Sequence, residues 1–133
     1  MFESLVLCTR EEKAILRNPE LEEEFFYFDL EMLNHRSYVV VMEQKKVVGM
    51  VAIVDQSMWF EKAVGVGFVE THSECRKRGI GKLLVDGLFQ YARKHGKAIA
   101  NTAYTPDGLK WLHPLMKEAA ERYPDVVLHE RQF

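Results

Sequence analysis

The sequence predicts one α/β domain, and three observations carry that reading. Three apolar strand patterns follow one another mid-chain: Tyr38-Val39-Val40-Val41-Met42, Val47 to Ile53, and Ala63 to Thr71. A strongly amphipathic helix pattern succeeds them, with Ile80, Leu83, Leu84, Leu88, Tyr91 and Ala92 at helical spacing. A further strand, helical material and a last strand then complete the chain. At 133 residues the chain has room for a single domain, residues 1–133, able to bury roughly two thirds of the surface its unfolded form exposes.

The elements follow in order. Leu5-Val6-Leu7 reads as a short strand. Thr9 and Glu12 form a Thr-x-x-Glu capping box ahead of Ile15 and Leu16, which starts a first helix. Asn18 then caps a second, with Pro19 at its first position and Glu20, Glu22, Glu23 and Glu24 at its positive end. Leu21, Phe25, Phe28 and Met32 fall on one stripe, widened by Phe26, Leu30 and Leu33, so one continuous helix is expected to pack on the sheet. Gln44-Lys45-Lys46 turns the first long strand into the second. The central helix starts at or near Gly79 and ends at His95-Gly96, with Gly96 as its C′ glycine. Lys97 to Ala103 is the next strand. Pro114 would interrupt a helix opened by Thr105-Pro106-Asp107-Gly108, so two short helices are expected, Leu109 to His113 and Pro114 to Arg122. Val126 to Glu130 forms the final strand.

Composition excludes more than it selects. With 18 basic and 20 acidic residues the net charge is −2, so no global field draws in nucleic acid or anionic lipid. Arg76-Lys77-Arg78 lacks the interleaved aromatics or wider basic face of a nucleic-acid site. Met1 to Leu5 lacks the apolar core of a signal peptide, and the longest apolar run, Val47 to Val54, is too short to span a bilayer. A cytoplasmic protein is expected. Cys8 and Cys75 fit no metal-ligand spacing and read as reduced thiols.

Chemistry is concentrated at Arg76-Lys77-Arg78-Gly79-Ile80-Gly81-Lys82, where a strand hands over to the central helix. The first N–H groups of a helix have no intrahelical partner and carry the positive end of its dipole, so an anion placed there accepts several hydrogen bonds at once. Gly79 and Gly81 would let phosphate approach the amides, and Gly79 tolerates a positive φ. A Walker loop is excluded, because Arg76 stands where its first glycine belongs and Leu83 where its hydroxyl belongs. A dinucleotide fingerprint is excluded as well. Leu84 replaces its third glycine, and Gly65-Val66-Gly67 runs on to Glu70.

What remains, Arg-x-x-Gly-x-Gly after a strand, resembles the acetyl-CoA pyrophosphate loop of the GNAT superfamily of N-acetyltransferases. Context strengthens the likeness: Val47-Val48-Gly49-Met50-Val51-Ala52-Ile53 is similar to the family's preceding strand with its central glycine. The resemblance covers Ser37 to Tyr104 well and both ends loosely. It implies a mixed, mostly antiparallel central sheet flanked by helices, the GNAT-like acyl-CoA N-acyltransferase fold. The implied activity is an acetyl-CoA-dependent acyltransferase reaction, in which the acetyl group passes directly, in a ternary complex, to a primary amine of a small molecule or protein. Acetyl-CoA is the implied co-substrate, with no metal. Backbone groups of Arg76, Lys77, Arg78, Gly79, Ile80, Gly81 and Lys82 would hold the pyrophosphate, and Val69, Glu70 and Thr71 the pantetheine arm. No nucleic-acid or membrane partner is expected, and a homodimer is left open. The first two helices and their connection wall the family's acceptor site, so Phe25 to Asp29 could line a pocket.

Proton transfer is where this sequence departs from those relatives. Some carry a glutamate eleven residues before the loop motif, but Gly65 stands there, with Gly67 after it. Glu70 falls on the opposite face by strand alternation unless a bulge intervenes. His72, in the following turn, has an intrinsic pKa near neutrality. Many relatives place a tyrosine early in the later helix, whereas Gly108-Leu109-Lys110-Trp111-Leu112-His113 has none. Tyr104 is the nearest phenol and His113 the nearest titratable group, while Trp111 could cover the thioester. The catalytic candidates are therefore Tyr104, Glu70 and His72. A non-enzymatic acyl-CoA-binding or protein-interaction module on the same fold is the alternative from another class.

Overall fold

Val, Ile and Phe in alternation drive the middle of the chain into strands, and the computed structural model, which describes residues 2–57, 61–72, 78–101 and 106–130, joins them in one sheet. Its strands run in chain order, β1 (Phe2–Leu7), β2 (Ser37–Glu43), β3 (Lys46–Asp55), β4 (Ala63–Thr71), β5 (Ala98–Asn101) and β6 (Leu128–Glu130). Pairing is antiparallel from β1 through β4 and parallel from β4 to β5 and β5 to β6. The mixed, mostly antiparallel sheet expected from the sequence is the one found. Gln44 and Lys45, both at positive φ, make the two-residue turn between β2 and β3, which matches the twist of paired strands.

β3 lies at the centre and is buried on both faces from Val47 to Ile53. One face carries α2 (Ile80–Lys94) and α3 (Pro106–Arg122), which bury Ile80, Leu84, Leu88, Phe89 and Met116 against Val39, Val51 and Ile99. Each such side chain contributes about 1.5–3 kcal/mol by leaving water. The other face is covered by the N-terminal layer: a 3₁₀ turn at Glu12–Leu16, a short α1 (Glu20–Glu24) and a second 3₁₀ turn at Leu30–His35. This layer packs Leu16, Leu21, Phe25, Phe28 and Leu33 onto Tyr38, Val40, Met50 and Phe68.

The local start signals operate as the sequence predicts. Thr9 N–H donates to Glu12 Oε1 at 2.8 Å and Glu12 N–H to Thr9 Oγ1 at 3.1 Å, closing the capping box. Asn18 Oδ1 accepts from Glu20 N–H at 3.0 Å. Gly96 has φ 62 and ends α2.

Two helical expectations are corrected. The continuous second helix stops at Glu24, because Phe25 is extended at φ −120 and ψ 112. The N–H groups of Phe26 and Tyr27, which in a helix would bond to residues 22 and 23, donate instead to the carboxylate of Glu70. Asp29 then caps the turn that follows by accepting from Glu31 N–H. The second correction is α3, one helix with Pro114 inside it rather than two. Proline costs a helix interior about 3 kcal/mol. Burial of Leu112, Met116 and Ala119 in the core beside α2 offsets that cost and keeps the helix whole. At the C-terminus β6 begins at Leu128, two residues later than expected, and the expected end of β5 at Thr102 and Ala103 lies outside the described residues.

Candidate functional site

Among the described residues, the first turn of α2 is open for an anion. Gly79 occupies the N-cap in a left-handed conformation, φ 83 and ψ 8, and no acidic side chain lies in that turn. The first intrahelical donor is Leu83 N–H, to Gly79 C=O at 3.4 Å, so the N–H groups of Ile80, Gly81 and Lys82 precede the helical ladder. Gly49 seats this turn on the sheet: a Cβ there would fall 2.6 Å from Ile80 Cγ2. Gly81 also has a use in packing. A Cβ on it would lie 3.2 Å from Leu115 Cδ1 and 3.4 Å from Trp111 Cζ3, so its smallness admits α3 against α2. Trp111, 40% exposed, therefore stands beside the helix start.

The cations divide. Arg76 and Lys77 lie outside the described residues. Arg78 turns toward the sheet's first strands, where its guanidinium forms a two-pronged pair with Glu43 at 2.7 and 3.1 Å and covers the Phe2 ring at 4.7 Å. That pair holds the Glu43 carboxyl below its ordinary pKa of 4.5. Lys82 is exposed on the first turn of α2.

Next to this helix start the sheet opens. β4 pairs with β5 only at Ala63↔Ala98 and Val64↔Ile99. From Gly65 onward the β4 edge has no strand beside it among the described residues. His72 N–H donates to Val48 C=O at 2.8 Å, which fixes the alternation of the ladder. Glu70 then turns its main chain toward β3, while Val69 and Thr71 turn theirs to the open edge. Of the three residues expected along an extended ligand arm, two turn their backbone groups to the open edge and one does not.

A bulge decides the side chains. The β3–β4 register passes from Ala52↔Phe68 to Ile53↔Val66, leaving Gly67 as the extra residue. Gly65 and Glu70, which plain alternation puts on opposite faces, thereby share the face covered by the N-terminal layer. Gly65 admits no side chain: a Cβ there would sit 2.6 Å from Ala100 C=O and 2.7 Å from Gln56 Cγ. Glu70 is engaged, with Oε2 accepting from Phe26 N–H at 2.7 Å and Oε1 from Tyr27 N–H at 2.9 Å. His72 packs edge-on against Phe25, ring centroids 6.2 Å apart. The structure thus gathers Glu70, His72 and the Phe25–Tyr27 segment at one end of β4. Tyr104 lies outside the described residues.

Sequence reasoning missed three partnerships: Glu70 with the Phe26–Tyr27 backbone, Arg78 with Glu43, and Gly81 with Trp111. Each joins residues at least thirty positions apart, and no local pattern announces it. Among the described residues no group of three or more His, Cys, Asp or Glu side chains could hold a metal ion, and no helix is long and apolar enough to cross a membrane.

A family model described as the acetyltransferase (GNAT) family matches residues 2–108. No curated protein sequence matches the chain. Among solved structures, the chain is similar to a ribosomal-protein-alanine N-acetyltransferase from Brucella melitensis biovar Abortus 2308, with 21% identity, 86% of this chain and 90% of that one covered, and a TM-score of 0.62. It is likewise similar to an aminoglycoside acetyltransferase from an uncultured soil metagenomic sample, at 19% identity, 87% of each chain and a TM-score of 0.62. Tetrahymena GCN5 aligns at 15% identity over 85% of this chain and 77% of that one, with a TM-score of 0.63. At these identities the likeness to solved structures is one of fold.

Proposed function

The chain belongs to the GNAT acetyltransferase family, and on that premise we propose that it moves an acetyl group from acetyl-CoA to a primary amine of a small molecule or protein, directly, in a ternary complex. The observation that carries this reading is the juxtaposition of an acid-free helix start, N-capped by left-handed Gly79, with the open edge of β4. The two fit the two parts of the co-substrate. Amides of Gly79, Ile80, Gly81 and Lys82 suit a pyrophosphate, and the outward backbone of Val69 and Thr71 suits an extended amide-bearing arm. Lys82, with Arg76 and Lys77, adds positive charge. Arg78 acts at one remove, anchoring the loop's last residue to β2 through Glu43.

Acetyl-CoA supplies a thioester carbonyl carbon open to attack by an amine. The chain must supply a place for that carbonyl, a group to take the ammonium proton and a group to meet the leaving thiolate. His72 at the end of β4 is proposed for the first proton and Tyr104 after β5 for the second. Solved neighbours named for an aminoglycoside and for a ribosomal-protein alanine support an amine acceptor of either kind. A cytoplasmic location belongs to the same reading, supported by the free thiol of Cys8.

Two measurements test the proposal. Calorimetry should find acetyl-CoA binding, with a rise in Tm because the ligand engages only the folded state. A panel of amines, amino acids, aminoglycosides and basic peptides, followed by release of free thiol, should find turnover with one class. Absence of binding at millimolar acetyl-CoA overturns the proposal. Binding without turnover by any acceptor assigns the chain instead to a non-enzymatic acyl-CoA-binding module.

A further inference from the structure

We infer that Glu70 is a positioning residue, whose carboxylate clamps the Phe26–Tyr27 segment over β4 and so sets the acceptor side of the site from the coenzyme-binding strand. This rests on the function proposed above. Three observations carry it. Both carboxylate oxygens are directed to the segment, one per N–H, at 2.7 and 2.9 Å, the lengths of charge-assisted bonds. The bonds span 44 and 43 residues and end the helix that the sequence otherwise favours, so they determine the local backbone rather than decorate it. The clamp also presents two aromatic rings: Phe26 is 85% and Tyr27 59% exposed, packed edge-on at 4.9 Å, with Tyr27 leaning on Phe68 of β4 at 6.2 Å.

The consequence is a division of labour within β4. Val69 and Thr71 turn their backbone to the open edge, while Glu70 between them reaches across the sheet's other face to the loop. The two hydrogen bonds tie the position of Phe26 and Tyr27 to that of β4. The exposed rings suit an acceptor that brings a cationic amine, since ammonium groups are attracted to aromatic faces.

The test separates this role from that of a general base and from loss of the proposed function. In Glu70→Gln, hydrogen exchange at the Phe26 and Tyr27 amides, followed by NMR, should accelerate about tenfold or more, because one carboxylate oxygen becomes an NH₂ group that cannot accept. The acceptor KM should rise about tenfold with acetyl-CoA affinity unchanged, and the acid limb of the kcat/KM profile should persist. A second pair of variants acts from the loop side. Phe26→Pro removes a donor and Phe26→Leu keeps it, while both lose the ring, and the extended Phe25 before it accommodates proline. Only the proline variant should reproduce the exchange effect at Tyr27, and its acceptor KM should rise above that of the leucine variant, which reports the loss of the ring alone. Unchanged exchange in Glu70→Gln overturns the clamp. A lost acid limb with constant KM overturns it in favour of a base. Should the wild type bind no acetyl-CoA, the proposed function falls, and the exchange measurement still decides whether the clamp exists.

Discussion

The face of the sheet under α2 and α3 is held by stripes that recur along single helices, whereas the face under the N-terminal layer is held by bonds that reach up to 44 residues along the chain. On the first face, Ile80, Leu84, Leu88 and Ala92 place α2 by periodicity alone, and Gly79 starts it. On the second, an equally good stripe of Leu21, Phe25 and Phe28 is buried yet does not form one helix. Periodicity therefore reports which side chains face the core more faithfully than it reports backbone conformation. A distant carboxylate that offers two strong acceptors to two amides outweighs the helical hydrogen bonds it replaces.

The comparison can be broken hardest at α2. Gly81→Glu puts a bulky chain 3.2 Å from Leu115 and a negative charge among amides suited to phosphate. Acetyl-CoA affinity should fall roughly a hundredfold or more, the loss of about two charge-assisted hydrogen bonds. Titration calorimetry checks this, with circular dichroism to verify the fold. Wild-type affinity in a folded Gly81→Glu protein would remove the helix start from the site.

A smaller effect is expected at the open edge. Thr71→Pro deletes an outward N–H, while Thr71→Val keeps the backbone and swaps only the hydroxyl. The proline variant should bind acetyl-CoA on the order of tenfold more weakly, and the valine variant should match wild type. Equal affinities for two folded variants would rule out the strand edge as a ligand contact.

How much was legible follows from the same contrast. Every strand and the start of α2 could be read, because alternation, glycine and capping residues act over a few positions. That Gly79 caps α2 and leaves the next N–H groups ahead of the helical ladder was legible for that reason, and so was the capping box of Thr9 and Glu12. The face of Glu70 was not, because it depends on whether Gly67 is paired or bulged, and that is decided by register against β3. Nor was the packing use of Gly81, since the side chains it makes room for belong to α3, thirty residues on. Pro114 misled in the opposite direction, its local penalty being offset by burial that only the fold supplies.

One pair of substitutions sharpens the difference between the faces. Gly49→Ala drives a methyl group to 2.6 Å from Ile80 Cγ2, so the contact between α2 and β3 must give there. A destabilisation of about 1–3 kcal/mol in urea is expected, together with weaker acetyl-CoA binding, because the first turn of α2 moves with Ile80. Lys13 serves the other face: it is buried, and its Nζ donates to the carbonyls of Leu33 at 2.7 Å and Arg36 at 3.0 Å. Lys13→Met orphans both carbonyls and should cost about 1–3 kcal/mol, with acetyl-CoA affinity unchanged. If both variants weaken binding to the same degree, the two faces are not separable in function.

The smallest effect is expected where the loop before α2 is tied back to the sheet. Hydrogen bonding to Arg78 is the main cause that lowers the Glu43 carboxyl from its ordinary 4.5. A carboxyl whose folded pKa lies below its unfolded one contributes stability that is fully present above the unfolded value and is lost as pH falls through the folded value. Stability of the wild type should therefore decline below about pH 4.5 partly through this group. Glu43→Gln removes that contribution. Its stability should be slightly lower than wild type at pH 7, with the gap closing on acidification, because a protonated glutamate and a glutamine are both neutral. At pH 7 the same substitution takes away the carboxylate that anchors the Arg78 guanidinium, so acetyl-CoA affinity should shift by no more than a few-fold, and more at low than at high salt. Parallel urea titrations at pH 7 and pH 4 measure the gap. A gap that stays constant, or widens in acid, would mean that the Glu43–Arg78 pair does not fasten the end of the loop, and that Gly79 holds its left-handed turn unaided.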